Sequence, residues 1–468
     1  MNSYKKLIKN SSIFAIASLG SKFISIILVP FYTYVLSTDE YGTIDMLNTT
    51  ITLLAPVITL SIYDAVLRFA VKSEYKYEKI LTCALAVLFV GNLLFLLFIP
   101  IFHKMDTFKN YIIIFYLVLF FQSINTLLCQ FARGSNHIKE FAFNGVMYTF
   151  LMLIFNIITL KFLYMGILGY FLSMLLSNII SNIYYFLTLR IWRYVSKKFL
   201  DSKLVKEMIT YSIPLIPNAL MWWIMSVSDR YMITYFIGIA ANGLYAVANK
   251  IPTVLSLIDS VFYQAWQLSA IEEGESKDKS KFYSRVFEVY SSIMLVASSL
   301  ILLFLKLCVD LVLGEEYKNI WIYVPFLLIG AVFTSFSTFL GTNYIAMKKT
   351  QGVFKTSLIS AIINIILNII LIPSFGINGA SFSTMISVFI LWIIRIFDTR
   401  EFIKMKINMQ KIIITLLLLG IQSLALILNI KYNYFIQIIS CILLIINNLR
   451  SLVYILGKIN IYLKGKLV

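Results

Sequence analysis

The chain has 468 residues, 60% of them hydrophobic and 13% charged, with a mean hydropathy of +0.86 and a formal net charge of +18. Apolar runs of about 18 residues or more recur along its whole length, which is the pattern of membrane-spanning helices and excludes a soluble globular class. Cys83, Cys129, Cys308 and Cys441 lie in or at the edges of apolar segments, so no disulfide framework is expected.

Hydropathy predicts fourteen helices, at 11–36, 43–70, 80–101, 110–132, 141–163, 167–189, 207–238, 243–270, 284–313, 319–346, 355–373, 377–398, 411–430 and 433–456. The opening (Lys5, Lys6, Lys9, then an apolar run) has the look of a secretory signal. The run extends to Leu36, too long for a signal core, and has a copy at 209–238, so it reads as a first span.

Positive charge tests this topology. With the N-terminus in the cytoplasm, thirty Lys and Arg fall in cytoplasmic segments and five (Lys104, Lys109, Lys161, Lys318, Lys431) in outer ones. Arg395 is counted with the cytoplasmic set. A missed early helix would destroy this split, so both termini are expected in the cytoplasm. The connections are short, and the longest cytoplasmic ones are 190–206 and 271–284. The cations of 190–206 read as a solvated linker facing lipid headgroups rather than a nucleic-acid site.

The chain repeats itself. Residues 8–49 and 209–250 share a layout, with Gly42 matching Gly243. Gly166-Ile167-Leu168-Gly169 matches Gly376-Ile377-Asn378-Gly379, each marking a tight outer turn between helices. Six helices per copy give two lobes of the same orientation. The expected division is an N-lobe over 1–190, a linker over 191–206, a C-lobe over 207–400, and two further helices with a tail over 401–468. Pro30, Pro56, Pro214, Pro217 and Pro252 all fall in the first two helices of a copy. Proline removes a backbone hydrogen bond and bends a helix, as a static kink or as a joint used in transport.

The stretch Leu36-Ser-Thr-Asp-Glu-Tyr-Gly42, the run from Asp229–Arg230 through Gly238, Gly243 and Tyr245, and the two GIxG turns together resemble the Wzx-type oligosaccharide-lipid flippases of the multidrug/oligosaccharidyl-lipid/polysaccharide exporter superfamily. The likeness covers essentially the whole chain. Thr38 stands where that family often has proline, and Tyr34 where it often has arginine. The resemblance implies an all-α polytopic membrane protein of fourteen helices, two six-helix lobes plus two. It implies a lipid-linked oligosaccharide as substrate, and the polymerase and glycosyltransferases of the same pathway as partners.

Charge inside a span costs about 2.5–3.5 kcal/mol at the bilayer centre by insertion scales, so it faces a cavity or a partner. Lys22, Asp64, Arg68, Asp229, Arg230, Lys250 and Asp259 all lie in the first two helices of a copy. The resemblance implies that these four helices line a cavity between the lobes. Lys22, Arg230 and Lys250 are the expected contacts to a lipid pyrophosphate, with Arg68 nearer the cytoplasmic mouth, because such an anion needs cations and Arg donates bidentately. Asp64, Asp229 and Asp259 would balance charge or couple an ion.

Structural readings stand beside these. Asp64 and Arg68 are four apart on one face and would neutralise each other. Lys250 and Asp259, nine apart, fall on opposite faces of a straight helix. Lys306 and Asp310 form another four-apart pair. Asn178/Asn182 and Asn364/Asn368 read as interhelical hydrogen-bonding groups. Trp192 and Trp321 sit where interface anchors belong, while Trp222, Trp223 and Trp266 would stack on sugars or pack in the core.

His103 and His137 show no metal-ligand spacing, and no cofactor or metal is expected. No GxxxxGK[ST] loop is present. The function expected is a flippase in the bacterial cytoplasmic membrane, not an enzyme. The alternative is a multidrug/cation antiporter of the same superfamily, which would favour a carboxylate-dominated cavity.

Overall fold

The computed structural model describes residues 20–72, 75–273, 278–347 and 351–465. Residues 11–19 of the first predicted span, and Lys5, Lys6, Lys9, Lys277, Lys348, Lys349 and Lys466, lie outside the described residues. Regular structure among the described residues is helical, with no strand.

The chain divides into two compact units, Met1–Ser228 and Asp229–Val468. The first contains α1 (Gly20–Val35), α2 (Thr38–Ile58), α3 (Ile62–Lys72), α4 (Tyr77–His103), α5 (Ile112–Gly134), α6 (Ile138–Phe162) and α7 (Gly166–Thr188). The boundary falls inside α8 (Ser202–Phe236). The second unit holds α9 (Ile239–Ala248), α10 (Thr253–Glu273), α11 (Lys279–Val312), α12 (Val324–Ala346), α13 (Gln351–Thr399), α14 (Met409–Ile427) and α15 (Asn433–Gly465).

Among the described residues ten helices are long and apolar enough to cross a membrane, or eleven if the bent pair α2–α3 is one span. The protein is therefore a multi-pass membrane protein. The count of fourteen is not reproduced by this measure, for two reasons. The 49-residue α13 contains both the 355–373 and 377–398 predictions, broken at Gly376. The described parts of the first and eighth predicted spans contribute only shorter apolar stretches in α1, α9 and α10.

The second predicted span is not one helix. Pro56 lies in the last turn of α2, and the chain then passes through Leu60 (φ 51°) and Ser61 (φ 48°), both left-handed. The Ser61 amide returns to the Pro56 carbonyl at 2.8 Å, and α3 leaves at 59° to α2. The carbonyl of Ile58 points at Gly91 of α4, where a Cβ would collide with it. The predicted 243–270 helix is interrupted likewise, between Ala248 and Thr253, at Pro252.

The motif 36–42 is a helix start. The Ser37 hydroxyl accepts from the Glu40 amide (3.2 Å) and the Glu40 carboxylate accepts from the Ser37 amide (3.0 Å), a reciprocal cap that opens α2. The Glu40 carboxylate also lies against Gly166, with no room for a Cβ, so two separately chosen motifs meet.

The two GIxG turns share one design. Gly166 (φ 51°) and Gly376 (φ 60°) are both left-handed, a conformation that glycine adopts without penalty. Gly169 and Gly379 pack where a side chain would strike the preceding helix, at Leu160 and Thr159 in one case and the Leu371 carbonyl in the other. Four residues on, Ser173 and Ser383 each donate back to that glycine's carbonyl, at 2.8 and 2.7 Å.

Buried amides join helices where water is absent. Asn125 of α5 donates to Ser181 (2.6 Å) and Asn182 (3.1 Å) of α7, and Ser181 donates to Asn144 of α6 (2.5 Å). Asn182 reaches the Phe121 carbonyl (2.9 Å), whereas Asn178 donates to Met174 in its own turn (2.8 Å). Asn364 crosses between the two halves of α13 to Thr384 (3.3 Å) and accepts from Asn368 (3.0 Å).

The 190–206 linker is held to α4: Lys79 pairs with Asp201 at 2.8 Å, and Thr82 donates to the Tyr194 carbonyl at 2.8 Å. Asp201 also caps α8, accepting from the Lys203 and Leu204 amides.

Candidate functional site

Three of the seven expected charges lie in the first unit. Lys22 is half-buried near the start of α1. Asp64 and Arg68 sit on α3, beyond the break, where they line a pocket of about 360 Å³ with Leu67, Val71, Tyr211 and Leu215. The pair does not form the ion pair that its spacing suggests: among the described residues no salt bridge joins them. The Arg68 guanidinium lies instead over the Tyr211 ring, 5.0 Å from its centroid. An aromatic face holds a cation without forming an ion pair with it.

The second unit holds the other four. Asp229 is buried, 7% exposed, and accepts from the Arg230 amide at 3.0 Å and from the Tyr245 hydroxyl of α9. Arg230 is half-buried beside it. Lys250 is exposed, in the interruption between α9 and α10. Asp259, on α10, accepts from the Tyr290 hydroxyl of α11. Asp229 and Asp259 are thus each oriented by a tyrosine from another helix. The sequence offered Tyr245 only as a motif residue and gave no sign of Tyr290, because the partner of Asp259 lies 31 residues away.

Arg395 corrects the charge count. It is not a surface cation: it is 5% exposed, within α13. Its guanidinium donates to Thr356 Oγ1 (3.2 Å), the Ser337 carbonyl (2.7 Å) and Ser357 Oγ (3.1 Å). Among the described residues no carboxylate pairs with it. The available signal was its place inside the predicted 377–398 helix together with hydroxyl residues in the preceding one.

Other expectations resolve by contact. Lys306 lies over the Trp321 ring at 4.9 Å, and no salt bridge joins it to Asp310 among the described residues. Trp321 is buried rather than an interface anchor, and Trp192 is exposed. Trp266 is core: its ring stacks on Phe339 at 4.4 Å and its Nε1 donates to Thr342 Oγ1 at 2.8 Å. Trp223 donates to the Thr49 carbonyl at 2.9 Å, while Trp222 is exposed.

The fold is similar to that of the lipid II flippase MurJ in an inward closed conformation, with a TM-score of 0.72 at 14% identity over 96% of this chain and 99% of that one. It is also similar to an inward-facing multidrug resistance MATE family transporter of the MOP superfamily, with a TM-score of 0.66 at 14% identity, covering 83% and 97%. Among sequences, an uncharacterized membrane protein of Methanocaldococcus jannaschii is 27% identical over 271 residues, 54% of this chain and 53% of that protein. The probable low-salt glycan biosynthesis flippase Agl15 of Haloferax volcanii is 24% identical over 215 residues, 45% of each. The chain spans about half the length of these curated relatives. The family described as polysaccharide biosynthesis protein matches residues 7–267, and that stretch contains all seven candidate site charges of the first two helices of each copy. With more than half of its length so matched, this chain belongs to the polysaccharide biosynthesis protein family.

Proposed function

We propose that this protein is a flippase that moves an isoprenoid-pyrophosphate-linked oligosaccharide from the inner to the outer leaflet of a bacterial cytoplasmic membrane by alternating access. Both termini face the cytoplasm, and the protein acts as a transporter, not an enzyme. Its working halves are an N-lobe over 1–190 and a C-lobe over 207–400, with polymerase and glycosyltransferases of the same pathway as partners. The observation that carries the reading is the family match over 7–267, which takes in Lys22, Asp64, Arg68, Asp229, Arg230, Lys250 and Asp259.

Lys22, Arg68, Arg230 and Lys250 receive the pyrophosphate, since an anion drawn into a low-dielectric cavity needs fixed cations. Asp64, Asp229 and Asp259 balance that charge, and the tyrosines on Asp229 and Asp259 hold two of them in place. An apolar pocket of about 760 Å³ in the first unit, lined in part by Leu54, Val57, Val90, Leu94 and Phe98, has the chemistry to accept part of an isoprenoid chain.

The test is mass spectrometry of lipids from cells lacking the chain, complemented with wild type or Arg230→Gln. A lipid-pyrophosphate oligosaccharide should accumulate without the protein, be cleared by wild type, and persist with the variant. Clearance by both removes Arg230 from the site. No accumulation sinks the flippase reading. A multidrug/cation antiporter is the second reading, favoured by the likeness to a MATE fold and the buried Asp229. It predicts drug sensitivity on deletion, with resistance restored by wild type and not by Asp229→Asn.

A further inference from the structure

A second charged pocket lies in the second unit, apart from the seven residues above. It measures about 800 Å³ and sits where the N-terminal ends of α11 and α14 meet Tyr454 of α15. Lys281, Arg285, Lys404, Lys406 and Lys411 line it against a single carboxylate, Glu288.

That carboxylate is already engaged. Glu288 pairs with Arg285 at 2.9 Å and with Lys411 at 3.7 Å, and it accepts from Ser451 Oγ at 3.1 Å. Arg285 is also held over the Tyr454 ring at 4.1 Å. Lys281, Lys404 and Lys406 are exposed, and among the described residues none of their ammonium groups has a carboxylate partner. Their placement is nevertheless fixed. The Lys406 amide donates to Ser284 Oγ at 2.8 Å, which ties the irregular 400–408 segment to α11. Asn408 then caps α14 by accepting from the Lys411 amide at 3.1 Å.

The pocket is therefore a built concavity with an excess of positive charge. Phe287, Ile407 and Ile412 give it an apolar wall. It opens at the ends of helices long and apolar enough to span a membrane, which is headgroup depth. In the orientation expected from the charge distribution, this end is cytoplasmic, on the side whose anionic lipids are bound by basic pockets.

We propose that this pocket binds the phosphate of a membrane lipid, with Lys281, Lys404 and Lys406 on the phosphate and Glu288 bracing Arg285 and Lys411 behind them. The apolar wall takes the first carbons below the headgroup. Two sources share this chemistry, a bulk anionic glycerophospholipid and a polyprenyl pyrophosphate.

The test is native mass spectrometry of the full chain released from detergent with phosphatidylglycerol, phosphatidylcholine, polyprenyl pyrophosphate or inorganic phosphate at matched concentration. Wild type should retain an anionic lipid in preference to phosphatidylcholine. The double variant Lys404→Gln/Lys406→Gln should bind it about thirtyfold more weakly, from roughly one kcal/mol per basic residue at a membrane surface. Lys404→Arg/Lys406→Arg should retain binding, and Lys197→Gln/Lys198→Gln, in the other basic stretch, should match wild type. Which of the two anionic lipids displaces the other identifies the source. Equal retention by wild type and the Gln variant, or of phosphatidylcholine and phosphatidylglycerol, overturns the proposal, as does full displacement by inorganic phosphate. A loss of binding by Lys197→Gln/Lys198→Gln equal to that of the pocket variant also overturns it.

Discussion

Arg395 and Asp229 are deeply buried charges whose contacts decide what a substitution would do. Arg395 satisfies three different oxygens from one planar group. Lysine, with one ammonium on a flexible stem, cannot reach all three. We expect Arg395→Ala to cost about 3–5 kcal/mol, the range for leaving a buried polar network open. Arg395→Lys should recover little of it, as read from thermal unfolding in detergent; full recovery would mean that charge alone matters there. At Asp229, Tyr245→Phe removes a hydroxyl donor while keeping the ring. The loss should be about 1.5–3 kcal/mol, the usual worth of a hydrogen bond to a charged group. Tyr245→Phe and Asp229→Asn should then be less than additive in a double-mutant cycle, and additivity would show that the two side chains act independently. The sequence disclosed the charges themselves, because a charge in an apolar run stands out. It did not disclose their partners, since Tyr290, Thr356 and Tyr211 are ordinary residues until the fold brings them into contact.

Helices are where hydropathy served best and where its limit is plainest. Apolar runs locate α4 to α7, α11, α12 and α14 to within a few residues. The α2–α3 break at Leu60–Ser61 was not legible, because proline signals a bend but not where the chain will turn left-handed. The glycines make this scale testable. Gly420 lies in α14 with nothing near enough to meet a Cβ, so Gly420→Ala should stabilise by about 0.5–1 kcal/mol. Gly91→Ala puts a methyl into the Ile58 carbonyl and should cost about 1–3 kcal/mol as overpacking. Equal melting temperatures for the two variants would refute this account of the bend. The linker offers a pH test. Hydrogen bonding from Lys79 holds the Asp201 carboxyl below its usual range. A lowered carboxylate contributes stability that is present above its unfolded pKa and lost as pH falls through the folded one. Amide protection over 195–205 should therefore weaken under acid, and Asp201→Asn should abolish that dependence.

Across the whole molecule, the class and the repeat were readable because both are written in period and spacing. Gly166 and Gly376 carry the same left-handed turn, and Ser173 and Ser383 the same return hydrogen bond, 210 residues apart. What could not be read was interruption. One 49-residue helical stretch holds two predicted spans, and the pieces α9 and α10 divide another. The orientation remains a prediction from charge: cysteine introduced at Lys197 should be reachable only from the cytoplasm and one at Lys431 only from outside, and the reverse labelling would invert the topology. The buried guanidinium of α13 bears on how such a chain is made. Thr356, Ser337 and Ser357 all precede Arg395. A ribosome delivers them first, so every oxygen that Arg395 requires can already be in the bilayer when it emerges. The cost of moving a lone cation into lipid, up to about 2.5–3.5 kcal/mol at mid-span, is then met by helices waiting beside the translocon. Synthesis in the opposite order would strand that charge in lipid.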